Sequence, residues 1–155
     1  MDNNKYSNYG YSKSNGNYIN NRNRYDNIKR VQLDEIKKDF SDTAENVIKN
    51  LNRLPNTNQI RNVLDLINNA TKRISVLEGE DISEYKDDLL YIRVKLAYIE
   101  GKASDNDGVK DFIEYSNLKD LIKTIVKNNK KSEYLVFAKY VEALVAYHKF
   151  YGGRD

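Results

Sequence analysis

From Val31 to Tyr151 the apolar residues of this chain recur at intervals of three and four, and no stretch alternates with a period of two long enough to make a strand. At 3.6 residues per turn, that spacing gathers apolar side chains on one face of a helix, and such faces are buried only against one another. Leu33, Ile36, Phe40, Val47, Ile48 and Leu51 mark a first helical stretch, interrupted near "FSDT" and ended at "RLPN" by Pro55, the single proline. Ile60, Val63, Leu64, Ile67, Ala70 and Ile74 mark a second, capped by Asn56 or Thr57 and closed by "LEGED". Asp81 and Glu84 read as a capping box opening a third, striped by Tyr85, Leu89, Ile92, Leu96 and Ile99 and ended by "EGKASDNDG". Val109, Phe112, Ile113, Leu118, Leu121, Ile122 and Ile125 give a fourth. The expected fold class is all-α, a compact bundle of about five helices over residues 31–155, preceded by a disordered tail over 1–30.

The fifth helix, "FAKYVEALVAYHKFYGG", is unusual in a chain so rich in Asn, Lys and Asp. Phe137, Tyr140, Leu144, Tyr147 and Tyr151 form its stripe, and Val141, Val145 and His148 widen it. Ala138, Ala143 and Ala146 allow close approach of neighbours, Lys139, Glu142 and Lys149 make a narrow polar edge, and the two glycines stop the helix. This helix is expected at the bundle centre, with its tyrosine hydroxyls reaching polar partners.

Mean hydropathy of −0.81 describes a polar chain with a lean core, and no run of about eighteen apolar residues exists to cross a membrane. The opening "MDNNKYSNYG" lacks the apolar centre of a secretory signal, and cysteine is absent, so a cytoplasmic location is expected. The net charge of +3 is unevenly placed: residues 1–30 hold six basic and two acidic side chains, while residues 31–155 hold twenty and twenty-one. The body can therefore attract a polyanion only by gathering cations on one face. Residues 1–30, with tyrosines at 6, 9, 11, 18 and 25 between basic residues, have too little aliphatic surface to offset the entropy of ordering. Their composition fits both an inert biased tail and a loose arm for phosphates and unpaired bases.

Motifs for chemistry are missing. His148 is the only histidine and has no nucleophile or second ligand in view, so it reads as a packing residue. "DNDGVKDFIE" places Asp105, Asp107 and Glu114 on calcium-loop positions around Gly108, but Ala103 falls on the first ligand position and Lys110 on the central aliphatic one. A helix connection capped near Asp107 or Gly108 accounts for the same residues. "EDISEYKDD" reads as a solvated helix start. There is no phosphate loop, dinucleotide fingerprint or zinc-ligand spacing. No metal, cofactor or catalytic residue is expected; a small enzyme would require a carboxylate pair, with Glu100 or Glu142 buried beside another acid.

Cations at the edges of apolar stripes are the remaining signal. Arg61 follows Ile60, Arg93 follows Ile92, Lys95 precedes Leu96 and Lys139 precedes Tyr140. Spacing alone fits two readings: cations converging on one groove for a single strand, or long side chains lying over an apolar edge.

Three segments, "TNQIRNVLDL", "YIRVKLAYIEGK" and above all "FAKYVEALVAYHKFYGG", resemble the small subunit of the type III-A CRISPR effector, the Csm ribonucleoprotein complex, from about residue 56 to the end. The resemblance implies a small, all-helical, non-catalytic subunit present in several stacked copies. Its implied partners are guide RNA, target RNA, the backbone and large subunits and further copies of itself, with no membrane. Cleavage of target RNA and DNA belongs, in such complexes, to the neighbouring subunits. Arg61 in "QIRN", Arg93 in "YIRV" and Lys139 in "FAKY" stand where the family keeps a cation, and these are residues that the spacing also selects. Lys102, after Gly101, stands at another such position; the family often has arginine there and at the position of Lys139. The expected RNA-binding set is therefore Arg61, Arg93, Lys95, Lys102 and Lys139. The alternative is a helical adaptor that meets proteins only, with the cations keeping it in solution.

Overall fold

The structure, a computed structural model, describes residues 24–104 and 106–153. Among them the chain forms six α-helices and one short 3₁₀ turn: α1 Leu33–Lys49, α2 Thr57–Ile74, the turn Ser83–Tyr85, α3 Lys86–Lys102, α4 Gly108–Ser116, α5 Leu118–Asn128 and α6 Lys131–Phe150. The all-α bundle is as expected. A single β-bridge, Asp81 to Lys130, stands in place of any strand among the described residues.

The first helix bends where the sequence placed an interruption. Asp39 leaves helical geometry (φ −157°, ψ 94°), and its carboxylate accepts the Asp42 backbone N–H at 2.9 Å, so it caps the second half anew. Asn56 caps α2 as expected, accepting from Gln59 N–H at 2.9 Å while the Gln59 side chain accepts from Asn56 N–H at 3.1 Å. Glu84 plays no such part for α3: Asp81 accepts from Ser83 N–H and from the Asn129 side chain, which makes a tight turn into 3₁₀ geometry first. The expected fourth helix is divided by Asn117, which adopts left-handed geometry (φ 55°, ψ 30°) between α4 and α5. Asparagine tolerates that conformation better than other side chains with a Cβ. The Asn117 amide also donates to the Val31 carbonyl at 2.8 Å, so the break is tied to the start of the body.

α6 lies against α1 along much of its length and packs on α2 and α5 as well. Phe137, Tyr140, Val141 and Leu144 are fully buried, with Ile36, Ile60, Ile67, Leu96, Phe112 and Ile122 around them in one continuous core. The polar tips of α6 all find partners. Tyr134 donates to the Ile67 carbonyl at 2.9 Å, Tyr140 to the Ser116 carbonyl at 3.0 Å, and Tyr147 pairs with Ser41 at 2.9 Å. His148 is buried with Nε2 2.6 Å from the Pro55 carbonyl, and Gly153 packs directly on its ring.

Residues 24–30, assigned to the tail on composition, are held on α4; the rest of that segment lies outside the described residues. Arg24 and Tyr25 both donate to Asp111, at 3.3 and 2.8 Å, and Arg30 donates to Glu114 at 3.1 Å. Lys119 donates to Glu100 at 2.5 Å and Glu114 at 2.7 Å, joining α3, α4 and α5 at one corner. Burial, reinforced by the neighbouring Glu114, pushes the Glu100 carboxyl from an ordinary 4.5 up to about 7. Burial opposes ionisation of Glu114, but the bonds from Glu100 and Lys119 and the charge of Arg30 outweigh it and hold Glu114 low. Glu100 thus keeps its proton to a higher pH than an ordinary carboxyl, and Glu114 ionises first.

Two outcomes follow for stability. A Cβ on Gly108 would stand 2.6 Å from the Leu54 carbonyl carbon, with only backbone to yield. Gly108→Ala is therefore expected to lower unfolding free energy in urea by about 1–3 kcal/mol, against the gain of about 1 kcal/mol that helix propensity alone would give. For Glu100, the folded chain between its ordinary value and about 7 keeps a proton that the unfolded chain has released. Stability accordingly falls as pH rises across that window. Glu100→Gln should flatten this fall in thermal melts between pH 5 and 8, and an unchanged pH dependence would contradict the raised Glu100 carboxyl.

Candidate nucleic-acid interface

The five expected cations stand on three helices, and the fold decides which of them are neighbours. α3 buries Leu89, Ile92 and Leu96, so positions one residue after and three residues after Ile92 emerge on opposite edges of the helix. Arg93 takes the edge toward α4 and α5. It lines a depression of about 550 Å³ with Arg30, Ile113, Glu114, Asn117 and Lys119, and its Nε is buried with no partner among the described residues. Lys95 takes the other edge. It lines a depression of about 610 Å³ between α2 and α3, with Asn62, Asp65 and Leu66 forming the opposite wall. Its ammonium rests 5.1 Å from the centre of the Tyr91 ring.

Lys102 is exposed in the last turn of α3. Arg61 is exposed on α2, next to the Asn62 that walls the Lys95 depression. Lys139 is exposed on the outer strip of α6 with Glu142, Ala146 and Lys149, away from the depressions that Arg93 and Lys95 line. Arg93 and Lys95 thus occupy separate depressions.

Charge pairing divides the surface cations into two groups. Arg24, Lys29, Arg30, Lys37, Lys49, Arg73 and Lys119 are each engaged with a carboxylate. Among the described residues Arg61, Arg93, Lys95, Lys102 and Lys139 make no ion pair. Several other surface lysines are likewise unpaired, so the property describes these five without singling them out.

Two cations at this site escaped sequence reasoning. Arg30 and Lys119 line the Arg93 depression, and Arg30 continues into a neighbouring one of about 450 Å³ with Arg24, Tyr25, Glu100 and Lys110. The carboxylates that hold Arg30 and its neighbour Arg24, Glu114 and Asp111 respectively, lie three apart in "DFIE", one face of a helix, which was the visible half of the signal. The other half lay 84–87 residues away in a stretch whose composition resembles the tail.

The motifs that suggested chemistry have local employment. Of the calcium-like positions, Asp105 lies outside the described residues, Asp107 accepts from Gln59, and Glu114 is bound by Arg30 and Lys119. "EDISEYKDD" is a largely exposed helix start, as expected, in which Glu80 accepts from Ser132 and Asp88 pairs with Arg73 at 2.7 Å. The carboxylate pair that an enzyme would require does occur, as Glu100 beside Glu114. Lys119 bridges the two and Arg30 covers Glu114, so both acids are committed to closing the α3–α4–α5 corner.

Comparison with known proteins follows this geometry. A family model described as Csm2 Type III-A matches residues 32–154, nearly all of the helical body. The CRISPR system Cms protein Csm2 of Streptococcus thermophilus is 36% identical over 122 residues, covering 75% of this chain and 93% of that protein. The protein of the same description from Enterococcus italicus is 38% identical over 96 residues, covering 61% of this chain and 66% of that one. The unmatched stretch includes the Asn/Tyr-rich segment and the Arg24 and Arg30 strap that docks on α4. With its body matched from Gln32 through the closing helix, the chain belongs to the Csm2 Type III-A family, the small subunits of the type III-A CRISPR effector.

Proposed function

We infer that this protein is a non-catalytic subunit that holds guide and target RNA through their backbones, stacked in several copies inside a cytoplasmic, RNA-guided antiviral complex. Sequence recognition is then left to base pairing between the two RNAs, as in RNA-guided machines generally. The observation that carries this reading is membership of the Csm2 Type III-A family, and Arg61, Lys102 and Lys139, with Arg93 in its depression, are cations without carboxylate partners on a body of near-zero net charge. Cations already spent on intramolecular pairs would have to break them to take up phosphate. These would not.

Catalysis is assigned to neighbouring subunits in this reading. Glu100 and Glu114 are bound to Lys119 and Arg30, and His148 is locked under Gly153. No helix among the described residues is long and apolar enough to cross a membrane, which accords with a soluble assembly.

A second reading, the protein-only adaptor, is favoured by one observation. Phe150 and Tyr151 stack edge to face at 5.0 Å at the end of α6, and Phe150 is largely exposed. The two readings part on nuclease treatment: assembly that survives complete RNA digestion with unchanged stoichiometry supports the adaptor.

Combined charge reversal at Arg61, Arg93 and Lys139 is expected to weaken RNA binding by at least about ten-fold at moderate salt. It should also lower the slope of log affinity against log salt by about two, with far-ultraviolet circular dichroism unchanged. Unaltered affinity and slope would remove these residues from the interface.

A further inference from the structure

α3 is unlike the other helices in what it leaves uncovered. Tyr91, Val94 and Tyr98 are 59%, 61% and 66% exposed, half of the large hydrophobic side chains that the described body leaves in solvent. Tyr91, Lys95, Tyr98 and Lys102 follow one another at four, three and four residues, a single stripe in which ring and cation alternate. None of the four makes an ion pair or side-chain hydrogen bond among the described residues, and the cation–π contact of Lys95 with Tyr91 is the sole polar contact recorded for them there. Val94 and Ile99, with Leu66 of α2, make the floor beside the rings apolar.

We propose that this stripe is a stacking platform for unpaired nucleobases of single-stranded RNA, with Tyr91 and Tyr98 taking the bases and Lys95 and Lys102 the adjoining phosphates. Charge selects the occupant. The stripe presents two unpaired cations and only Asp65 opposite them, whereas an apolar partner helix would leave both ammonium groups facing a greasy surface. Base–aromatic stacking needs an open ring face and tolerates any base, and a nearby ammonium serves the strand's phosphates without reading sequence. The two rings are seven residues apart, about 10 Å along the helix axis, which spans about three stacked steps at 3.4 Å each. This platform rests on the RNA-binding reading above and deepens it: backbone contacts hold paired RNA, and α3 holds bases that are not paired.

The test is fluorescence anisotropy of the full chain with a labelled 20-nucleotide oligouridylate and with an abasic strand of the same length and charge. The wild type should prefer the base-bearing strand by at least about ten-fold. Tyr91→Ala with Tyr98→Ala should abolish the preference, while Tyr91→Phe with Tyr98→Phe should keep it. Equal binding of both strands by the wild type overturns the platform without requiring any variant to fold, and leaves backbone binding through Arg61, Arg93 and Lys139 intact. A preference that survives in the alanine variant also overturns it. Loss of self-association in that variant, with RNA binding unchanged, would assign the stripe to protein contact instead. Absence of binding to either strand and to duplex RNA would sink the RNA reading itself.

Discussion

The hydroxyl of Tyr140, fully buried, reaches from the middle of α6 to the Ser116 carbonyl at the end of α4, beside the left-handed Asn117. It is one of a series. Tyr134 reaches α2, Tyr147 reaches α1, Tyr151 bonds Glu45 on α1, and His148 meets the Pro55 carbonyl in the α1–α2 connection. Apolar side chains would fill the same space, but a ring with a polar tip must also satisfy that tip, and each tip here has its partner outside α6. The bundle's register therefore depends on one helix that is aromatic nearly along its length. Its alanines and glycines fit around this requirement, and Gly153 is small because the His148 ring occupies the space a Cβ would need.

Charge is divided by use. At the α3–α4–α5 corner, opposite charges join separate elements: Arg24 and Arg30 to α4, and Lys119 to both Glu100 and Glu114. On the outer faces of α2, α3 and α6, cations stand unpaired. A protein with nearly equal numbers of acidic and basic groups can attract a polyanion only by gathering cations on one face. The cores of both arrangements meet on α3, which carries Glu100 toward α4 and Tyr91, Lys95, Tyr98 and Lys102 along a different edge.

Periodicity alone located every long helix, the bend in α1 and the Asn56 cap, because each is a local consequence of adjacent residues. Residues whose role is set by distant partners were harder to read. Asn117 divides one apolar run into two helices, yet an asparagine inside a helical pattern is not in itself a break; its bond to the Val31 carbonyl, 86 residues away, is what fixes it. Arg24 to Arg30 resemble the preceding low-complexity stretch in composition, and what holds them is a pair of α4 carboxylates more than eighty residues away. The cations of the candidate interface were visible one by one at the edges of apolar stripes. Their distribution was not, since Arg93 and Lys95 are two residues apart in sequence and face separate depressions. Tyr91 and Tyr98 carried no reading in one dimension, because they stand outside the apolar stripe of α3, and it is the fold that leaves them open.

The most direct measurement of the central claim is recovery of the tagged protein from its native host at moderate salt, with mass spectrometry of co-purifying proteins and sequencing of associated RNA. An RNA-holding subunit predicts a large multi-subunit assembly accompanied by short RNAs that share one repeat-derived end. Recovery of the protein alone, or with protein partners and no RNA, would contradict it and return Arg61, Arg93, Lys95, Lys102 and Lys139 to ordinary surface charge.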